Sequence, residues 1–404
     1  MSTSLLYHAF GIHGYEYLKT TFKEGRVTFA MRHKRESDRC SACRSWNVIR
    51  HGEQERTFRT VPIGGKPVLL RTSIPRVECR ACGVIRQVHL SFAEPRFRYT
   101  RAFERYALEL SQSMTIQDVA MHLGVGWDTI KDIQKRNLQR RFKKVKLRDL
   151  EQIAIDEISI GKGHRYVTIV LNLLTGAVVF IGEGKGADAL EPFWKKLKAS
   201  RVRIKAVATD MSSAYIQAVQ ENLKGAVHVF DHFHVIKLFN EKLSDFRRKL
   251  FHEAVGPLEK KVLKGTRWLL LKNPENLDPK HNEQERLAEA LRLNQPLATV
   301  YYMKEDLRQI WYQPDKATAG RVLDDWVRRA EASGISMLQK FANTLALARS
   351  AILAYYDYPI STGPLEGTNN KIRTMQRQAY GFRDTEFFKL KILAIHETKY
   401  ALVG

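Results

Sequence analysis

The chain is predicted to be a multidomain α+β protein, and three features of the sequence carry that expectation. Two C-x-x-C pairs stand in the first hundred residues. Short apolar runs, two of them closing on an acid, follow between Gln152 and Asp231. A long charged segment of helical period then separates those runs from a last polar helix. At 404 residues the chain is long enough for two to four domains with real cores.

Charge is the strongest global signal. Lys and Arg number 67 against 43 Asp and Glu, a formal net charge of +24. Such a field favours polyanions, nucleic acid above all. An anionic membrane surface fits less well, because no basic amphipathic anchor stands out. No run approaches the ~18 apolar residues of a membrane span. The segment from Met1 to His8 lacks a basic stretch followed by an apolar one, so no secretory signal is expected and the location should be cytoplasmic.

The first thirty residues read as a short helix and a strand without evident chemistry. Cys40-Ser-Ala-Cys43 and Cys79-Arg-Ala-Cys82 follow. Each pair turns the chain so that two thiolates face one ion, and four cysteines suit one tetrahedral Zn²⁺. The intervening runs, such as Val68–Ile74, read as strands of a zinc ribbon. The loop is longer than the commonest spacing, so His51 or His89 could replace a cysteine; two disulfides or a redox dithiol are the other readings. A site closed by four protein ligands is structural, and its task would be to present Arg and Lys to DNA.

Residues 101–141 read as helical. Phe103, Tyr106, Ala107 and Leu110 have helical spacing, and Thr115 to Ile133 carries a helix-turn-helix pattern. Ala120 falls in its first helix, Gly124 in the turn, and Val125, Ile130 and Ile133 pack the second. Thr129, Lys131, Asp132 and Lys135 are candidate base or phosphate contacts. Arg136, Arg140 and Arg141 extend the basic run towards Arg148, which also reads as a linker. The bland alternative is a plain helical hairpin.

From Gln152 the period changes to that of strands. Ile153–Ile158 holds Asp156 and Glu157, and Tyr166–Leu173 and Ala177–Ile181 flank a Thr175-Gly176 turn. A helix near Asp188–Lys198 follows, then a strand from Ile204 to Asp210, a helix over Met211–Leu223 and a strand from Ala226 to Asp231. The order β-β-β-α-β-α-β, with acids ending the first and fourth strands, is that of the ribonuclease H-like fold.

Ser361 to Arg373 opens with a Thr-Gly-Pro breaker and continues as a helix from about Pro364. Glu366, Asn370, Arg373 and Arg377 share one face at i, i+4, i+7 and i+11. One carboxylate beside phosphate-binding groups suits a metal-dependent enzyme acting on a polynucleotide; the plain reading is a solvated polar face. Phosphodiester chemistry of this kind uses two Mg²⁺ (or Mn²⁺) ions about 3.5–4 Å apart, held by oxygen ligands. Asp156 would bridge both ions, Asp210 would hold one and Glu366 the other. Glu157, Asp188 and Asp231 compete for those roles.

Between Asp210 and Glu366 lies far more chain than the fold needs. Helical patterns at Leu258–Leu270, Asn282–Leu293, Thr299–Ile310, Ala317–Ala332 and Ser336–Leu347 make it an all-α insertion that would cover the site and grip DNA. Trp268, beside Arg267, could stack on an unpaired base, with Trp311 and Trp326 as rivals. A last helix, Glu386–Tyr400, is expected to pack on the sheet.

Taken together, the cysteine pairs, the helix-turn-helix, Ile155-Asp156-Glu157, Ala208-Thr-Asp210, Phe230-Asp-His-Phe-His234-Val and Gly363-Pro-Leu-Glu366-Gly-Thr-Asn-Asn370-Lys-Ile resemble the ISL3 family of bacterial insertion-sequence transposases over nearly the whole chain. The resemblance implies a DDE triad mapping onto Asp156, Asp210 and Glu366. It also implies recognition of terminal inverted repeats of double-stranded DNA, DNA cleavage and strand transfer into target DNA. Asp231-His-Phe-His234 resembles the Asp/Cys-x-x-His signature of related transposases with a helical insertion, where Asp231 and His234 would orient the site or a phosphate. The implied domains are a zinc ribbon (1–95), a helix-turn-helix with basic linker (96–148), a first catalytic part (149–250), the all-α insertion (251–345) and a second catalytic part with Glu366 (346–404). A dimer or larger assembly on nucleoid DNA in the bacterial cytoplasm is expected, since two ends must be joined. The rival readings are a ribonuclease H-like nuclease or junction resolvase, and a DNA-binding regulator with an inactive catalytic fold.

Overall fold

Apolar alternation in the first hundred residues builds a five-stranded sheet. In the structure, a computed structural model describing residues 5–143, 145, 147–161, 163 and 165–397, helix α1 (Leu5–Phe10) precedes strands β1 (Tyr15–Lys23) and β2 (Arg26–His33). The longest hairpin follows, β3 (Val48–Ile63) and β4 (Lys66–Cys79), and a short β5 (Ile85–Gln87) pairs with β4. The order is β1-β2-β4-β3, with β2 parallel to β4 and the other pairs antiparallel. Val68, Leu70 and Ile74 alternate into the core beside Phe29, Phe58 and Phe92, as the period of two requires.

Three helices continue this part: α2 (Arg101–Leu110), α3 (Ile116–Leu123) and α4 (Trp127–Phe142). Thr115 caps α3 through a reciprocal capping box with Asp118. Gly124 ends that helix in the left-handed region at φ 60°, where a side chain would be strained. Phe103, Ala107, Val119, Leu123, Ile130 and Ile133 form the core between the three.

The chain divides into two compact units, Met1–Lys143 with Met375–Gly404, and Lys144–Thr374. In the second unit the sheet runs β6 (Gln152–Gly161), β7 (Arg165–Asn172), β8 (Val178–Glu183), β9 (Ala206–Thr209) and β10 (Val227–Phe230), in the order β10-β9-β6-β7-β8. β6, β7 and β8 are antiparallel, whereas β6, β9 and β10 are parallel. That is the predicted strand sequence. Helices α5 (Glu191–Ser200) and α6 (Ser213–Asn222) bury Phe193, Trp194, Leu197, Tyr215 and Val219 against Ile153, Ile155, Val170 and Val207.

Helix α7 (His232–Glu253) leaves β10 and enters the helical insertion, followed by α8 (Pro257–Gly265), α9 (Glu283–Leu293), α10 (Gln295–Arg308), α11 (Lys316–Ala332) and α12 (Ser336–Leu353). Val235, Phe239 and Leu243 of α7 share one core with Leu307, Trp326, Phe341 and Ile352. The insertion is therefore continuous with the strand end from which it grows. α8 stops short of the predicted Leu270, at Gly265. α10 begins earlier than predicted, because Asn294 caps it and Pro296 fits its first turn. α12 runs past the predicted Leu347.

Helix α13 (Gly363–Gln378) and helix α14 (Thr385–Leu393) complete the chain. The predicted last helix reached Tyr400; residues 398–404 lie outside the described residues. Its expected packing on the sheet is corrected: Phe387 and Ala394 cluster with Leu138 of α4. Among the described residues no helix is long and apolar enough to cross a membrane.

Candidate functional site

The polar site begins where three neighbouring parallel strands part, at the carboxyl ends of β9 and β10 and midway along β6. The β6–β9 register pairs Ala154 with Ala208, and two further residues bring Asp156 beside Asp210. The β9–β10 register pairs Thr209 with Phe230, and one further residue brings Asp210 beside Asp231, whose N–H donates to the Thr209 carbonyl at 3.2 Å. Asp210 and Asp231 thus follow the ends of β9 and β10, whereas the expectation that the first strand ends on its acid is corrected: β6 stays paired with β7 to Gly161, and Asp156 lies mid-strand, two residues past its last pairing with β9. Side chains alternate across a sheet, so Asp156 and Glu157 face opposite ways. Glu157 is occupied on the α6 side, accepting from the Tyr215 hydroxyl at 2.7 Å. That leaves Asp156 facing away from the α5–α6 core, with the small Ala154 on its own face.

Each acid has a defined environment. Burial pushes the Asp156 carboxyl up to about 6; the His234 ring opposes the rise, and the Glu157 and Asp210 carboxylates add to it. Asp210 Oδ1 accepts from the Ser212 N–H at 2.9 Å. Asp231 is 2 % exposed, caps α7 by accepting from the Phe233 N–H at 3.2 Å, and accepts from the Thr362 hydroxyl. His234 Nε2 lies 4.0 Å from Asp231 Oδ2. Fully enclosed and already bonded, Asp231 is a corner of the fold. Asp188, the remaining competitor, is exposed in a 3-10 turn before α5.

Helix α13 reaches this row through Asn369, whose Nδ2 donates to Asp156 Oδ2 at 3.1 Å. Asn369 is 5 % exposed, and its Oδ1 is buried with no hydrogen-bond partner. Sequence reasoning missed this residue. The face that it shares with Leu365 and Ile372 is the buried one, whereas the predicted stripe of Glu366, Asn370, Arg373 and Arg377 is exposed. Glu366 stands in the first turn, three residues before Asn369.

Hard oxygen donors from Asp156 and Asp210, with an unpaired amide oxygen buried beside them, suit a hydrated divalent cation better than a soft metal. Among the described residues, however, the four cysteines are the group of three or more His, Cys, Asp or Glu drawn together closely enough to hold an ion. Asp156, Asp210 and Glu366 do not close to that degree.

The cysteine quartet is the second centre. All four sulfurs lie within 4.8 Å of one another, with Cys40–Cys82 at 3.7 Å and Cys43–Cys79 at 3.5 Å. Zn–S bonds of about 2.3 Å put tetrahedral sulfurs roughly 3.8 Å apart, so the quartet fits one Zn²⁺. The two turns match: Arg44 and Gly83, each just after the second cysteine, both take positive φ, 67° and 71°. The Cys43 backbone N–H holds the Cys40 thiol down at about 6, against the effect of burial. All four thiols are free, so the disulfide reading is set aside. His51 bonds Glu78 at 2.8 Å and lies outside the quartet, as does His89.

The basic side chains of α4 are engaged within their own unit. Lys131 pairs with Asp384 at 3.2 Å, and Lys135 pairs with Asp384 at 3.0 Å and Glu386 at 2.8 Å. Arg136 bonds the Tyr99 hydroxyl and stacks over Phe97 at 3.8 Å, and Arg140 meets Glu104 at 2.8 Å. Thr129 is half-buried, and the exposed Arg141 lies over Phe142 at 5.7 Å. In the insertion, Trp326 is wholly buried and donates to the Met303 carbonyl at 2.8 Å, which makes it core. Trp311 is half-buried beside His232. Trp268 is 66 % exposed, with Arg267 over its ring at 4.7 Å.

Comparison with known proteins bears on most of the chain. A family model described as transposase, of the DDE type of ISL3 elements, matches residues 153–392. A helix-turn-helix domain of transposase family ISL3 matches residues 88–136, and the zinc-finger of transposase IS204/IS1001/IS1096/IS1165 matches residues 36–82. The transposase for insertion sequence element IS1001 of Bordetella parapertussis is 35 % identical over 364 residues, covering 88 % of each chain. The transposase for insertion sequence element IS1557 of Mycobacterium tuberculosis is 29 % identical over 377 residues, covering 87 % of this chain and 83 % of its own. A strand transfer complex of the Drosophila P element transposase aligns with 74 % of this chain and 92 % of its own, at TM-score 0.41 and 12 % identity. With a zinc ribbon, a helix-turn-helix and a DDE catalytic region in that order, the chain belongs to the ISL3 family of insertion-sequence transposases.

Proposed function

We propose that Asp156, Asp210 and Glu366 form the catalytic triad of this transposase and that they hold two Mg²⁺ (or Mn²⁺) ions. The supporting observation is the strand register that brings Asp156 beside Asp210, with the Glu366 helix tied to Asp156 through Asn369. Bound at these oxygens, the cations would neutralise charge on the attacked phosphate. The carboxylates' part is to fix the ligand oxygens before DNA arrives. In the first reaction a water oxygen attacks a phosphorus at the element's end. The P–O3′ bond breaks, and the leaving oxygen takes a proton to become a 3′-hydroxyl. In the second, that hydroxyl attacks a target phosphodiester. A new P–O3′ bond forms, one target bond breaks, and the number of ester bonds is unchanged.

The zinc ribbon and the helix-turn-helix bind the terminal inverted repeats in this reading, and Thr129, Lys131, Lys135, Arg136, Arg140 and Arg141 are candidate contacts. Asn370, Arg373 and Arg377, exposed along α13 beyond Glu366, would hold the backbone flanking the cut. Trp268 would stack on an unpaired base. The protein acts as a dimer or larger complex on two ends, in the bacterial cytoplasm at the nucleoid. The five segments bounded at 95, 148, 250 and 345 remain the proposed functional division. Asp156→Asn and Glu366→Gln test the triad on a labelled element-end duplex. Both are expected to abolish cleavage and leave end binding intact. Cutting at the wild-type rate by either variant would remove that residue from the triad.

A further inference from the structure

Two hydrogen bonds tie α13 to the outer two acids of the row, Asp231 and Asp156. At the start of the helix the Thr362 hydroxyl donates to Asp231, after β10. Two turns on, Asn369 Nδ2 donates to Asp156, on β6. The Thr362 carbonyl accepts from the N–H groups of Leu365 and Glu366, both at 2.9 Å, so the anchored residue also opens the helix. Thr362 and Asn369 are buried, and neither belongs to the polar stripe evident in the sequence.

The spacings agree. β10 and β6 flank β9, and the registers align their acids, so Asp231 and Asp156 lie about two strand spacings apart, about 9.6 Å. Seven residues of helix advance about 10.5 Å. Thr362 lies just before the helix; Glu366 and Asn369, three residues apart, are neighbours on its surface, Asn369 on the buried face and Glu366 at its exposed border. A segment pinned over β10 at one end and over β6 at the other carries its midpoint over β9, the strand that ends in Asp210.

We propose that Thr362 and Asn369 are the positioning residues of this transposase, setting the register of α13 across β10, β9 and β6 so that Glu366 comes to the Asp156–Asp210 pair. Neither touches substrate. Asn369 acts through Asp156, and Thr362 acts through Asp231 and the first turn of the helix. The inference rests on the triad reading above and adds to it the means by which the third acid is delivered. It also gives the buried Asp231 a task distinct from metal binding.

The test is Mn²⁺ titration of the full-length, zinc-loaded protein by calorimetry, with Asp156→Asn as reference. Removing a hydrogen-bond partner that orients a metal-binding carboxylate typically weakens the metal about 10–100-fold. Thr362→Val and Asn369→Ala should each weaken Mn²⁺ by that factor and lower kcat for end cleavage, with KM for DNA unchanged. Thr362→Ser, which keeps the hydroxyl, should restore both. Unchanged zinc content and melting temperature would show that these variants fold. If Asp156→Asn abolishes Mn²⁺ binding while Thr362→Val and Asn369→Ala bind it like the wild type, the triad stands and the positioning role is refuted. If Asp156→Asn binds Mn²⁺ as the wild type does, the triad reading fails and this inference fails with it.

Discussion

Lys131 and Lys135 sit on the helix that would enter the major groove, yet both face acids of the same unit. Asp384 and Glu386 stand at the start of α14, 2.8–3.2 Å from the two ammonium groups. The Phe387 N–H and then the two lysines hold the Asp384 carboxyl down at about 2, so the pairs are intact at neutral pH. DNA phosphates must compete with these carboxylates. The perturbation is Asp384→Asn with Glu386→Gln. Both changes are isosteric: asparagine still caps α14, and glutamine can still reach Gln139. Each lysine released to a phosphate contributes about 0.9 to the slope of log K against log salt, so two steepen it by about 1.8. Between about 50 and 200 mM salt, that slope costs the variant roughly twelve-fold more affinity than the wild type loses. The expected outcome is tighter end binding at low salt and a steeper salt dependence, read by fluorescence anisotropy on a labelled end. An unchanged slope, in a variant with native zinc content, would refute competition between α14 and DNA for these lysines.

Three other outcomes are expected. Cys79→Ser should lose zinc and end binding together; zinc content equal to the wild type would remove Cys79 from the ligand set. Trp326→Ala should lower the unfolding free energy by about 3–5 kcal/mol, whereas Trp268→Ala, at an exposed position, should change it by less than about 0.5 kcal/mol; denaturant titration separates them. Burial lowers the His228 pKa from 6.5 to about 4. The ring is therefore neutral in the fold while the unfolded chain binds a proton. Its contribution is present above pH 6.5, is lost as the pH falls towards 4, and amounts to at most about 3 kcal/mol. His228→Gln should flatten stability across that window, and identical acid limbs would contradict the assignment.

The parts legible in the sequence were those written in local pattern. The strand run that closes on Asp210 is followed directly by its charge, whereas β6 runs on past Asp156 to Gly161. The cysteine pairs have fixed spacing, and Thr362-Gly363-Pro364 announces the start of α13. Long-range pairing leaves no such mark. Lys135 and Asp384 lie 249 residues apart, and nothing near either names the other. The docking of α14 on α4 was hidden for the same reason. Asn369 carries no such mark either: it lies on the buried face, whereas its neighbour Asn370 completes the exposed polar stripe. No local signal marks the passage from the catalytic part to the insertion, because one uninterrupted helix, α7, serves both. Asn294 and Pro296 did carry a start signal for α10, which the apolar spacing around Thr299 masked.

The docking of α14 on α4 has a consequence during synthesis. The helix-turn-helix is complete when Phe142 has left the ribosome, but its acidic cover begins only at Asp384, about 240 residues later. At the usual 5–20 residues per second this is an interval of roughly 12–50 s. Through that interval the lysines of a growing chain have no carboxylate partner from α14, and DNA close to the translating ribosome meets them without a competitor.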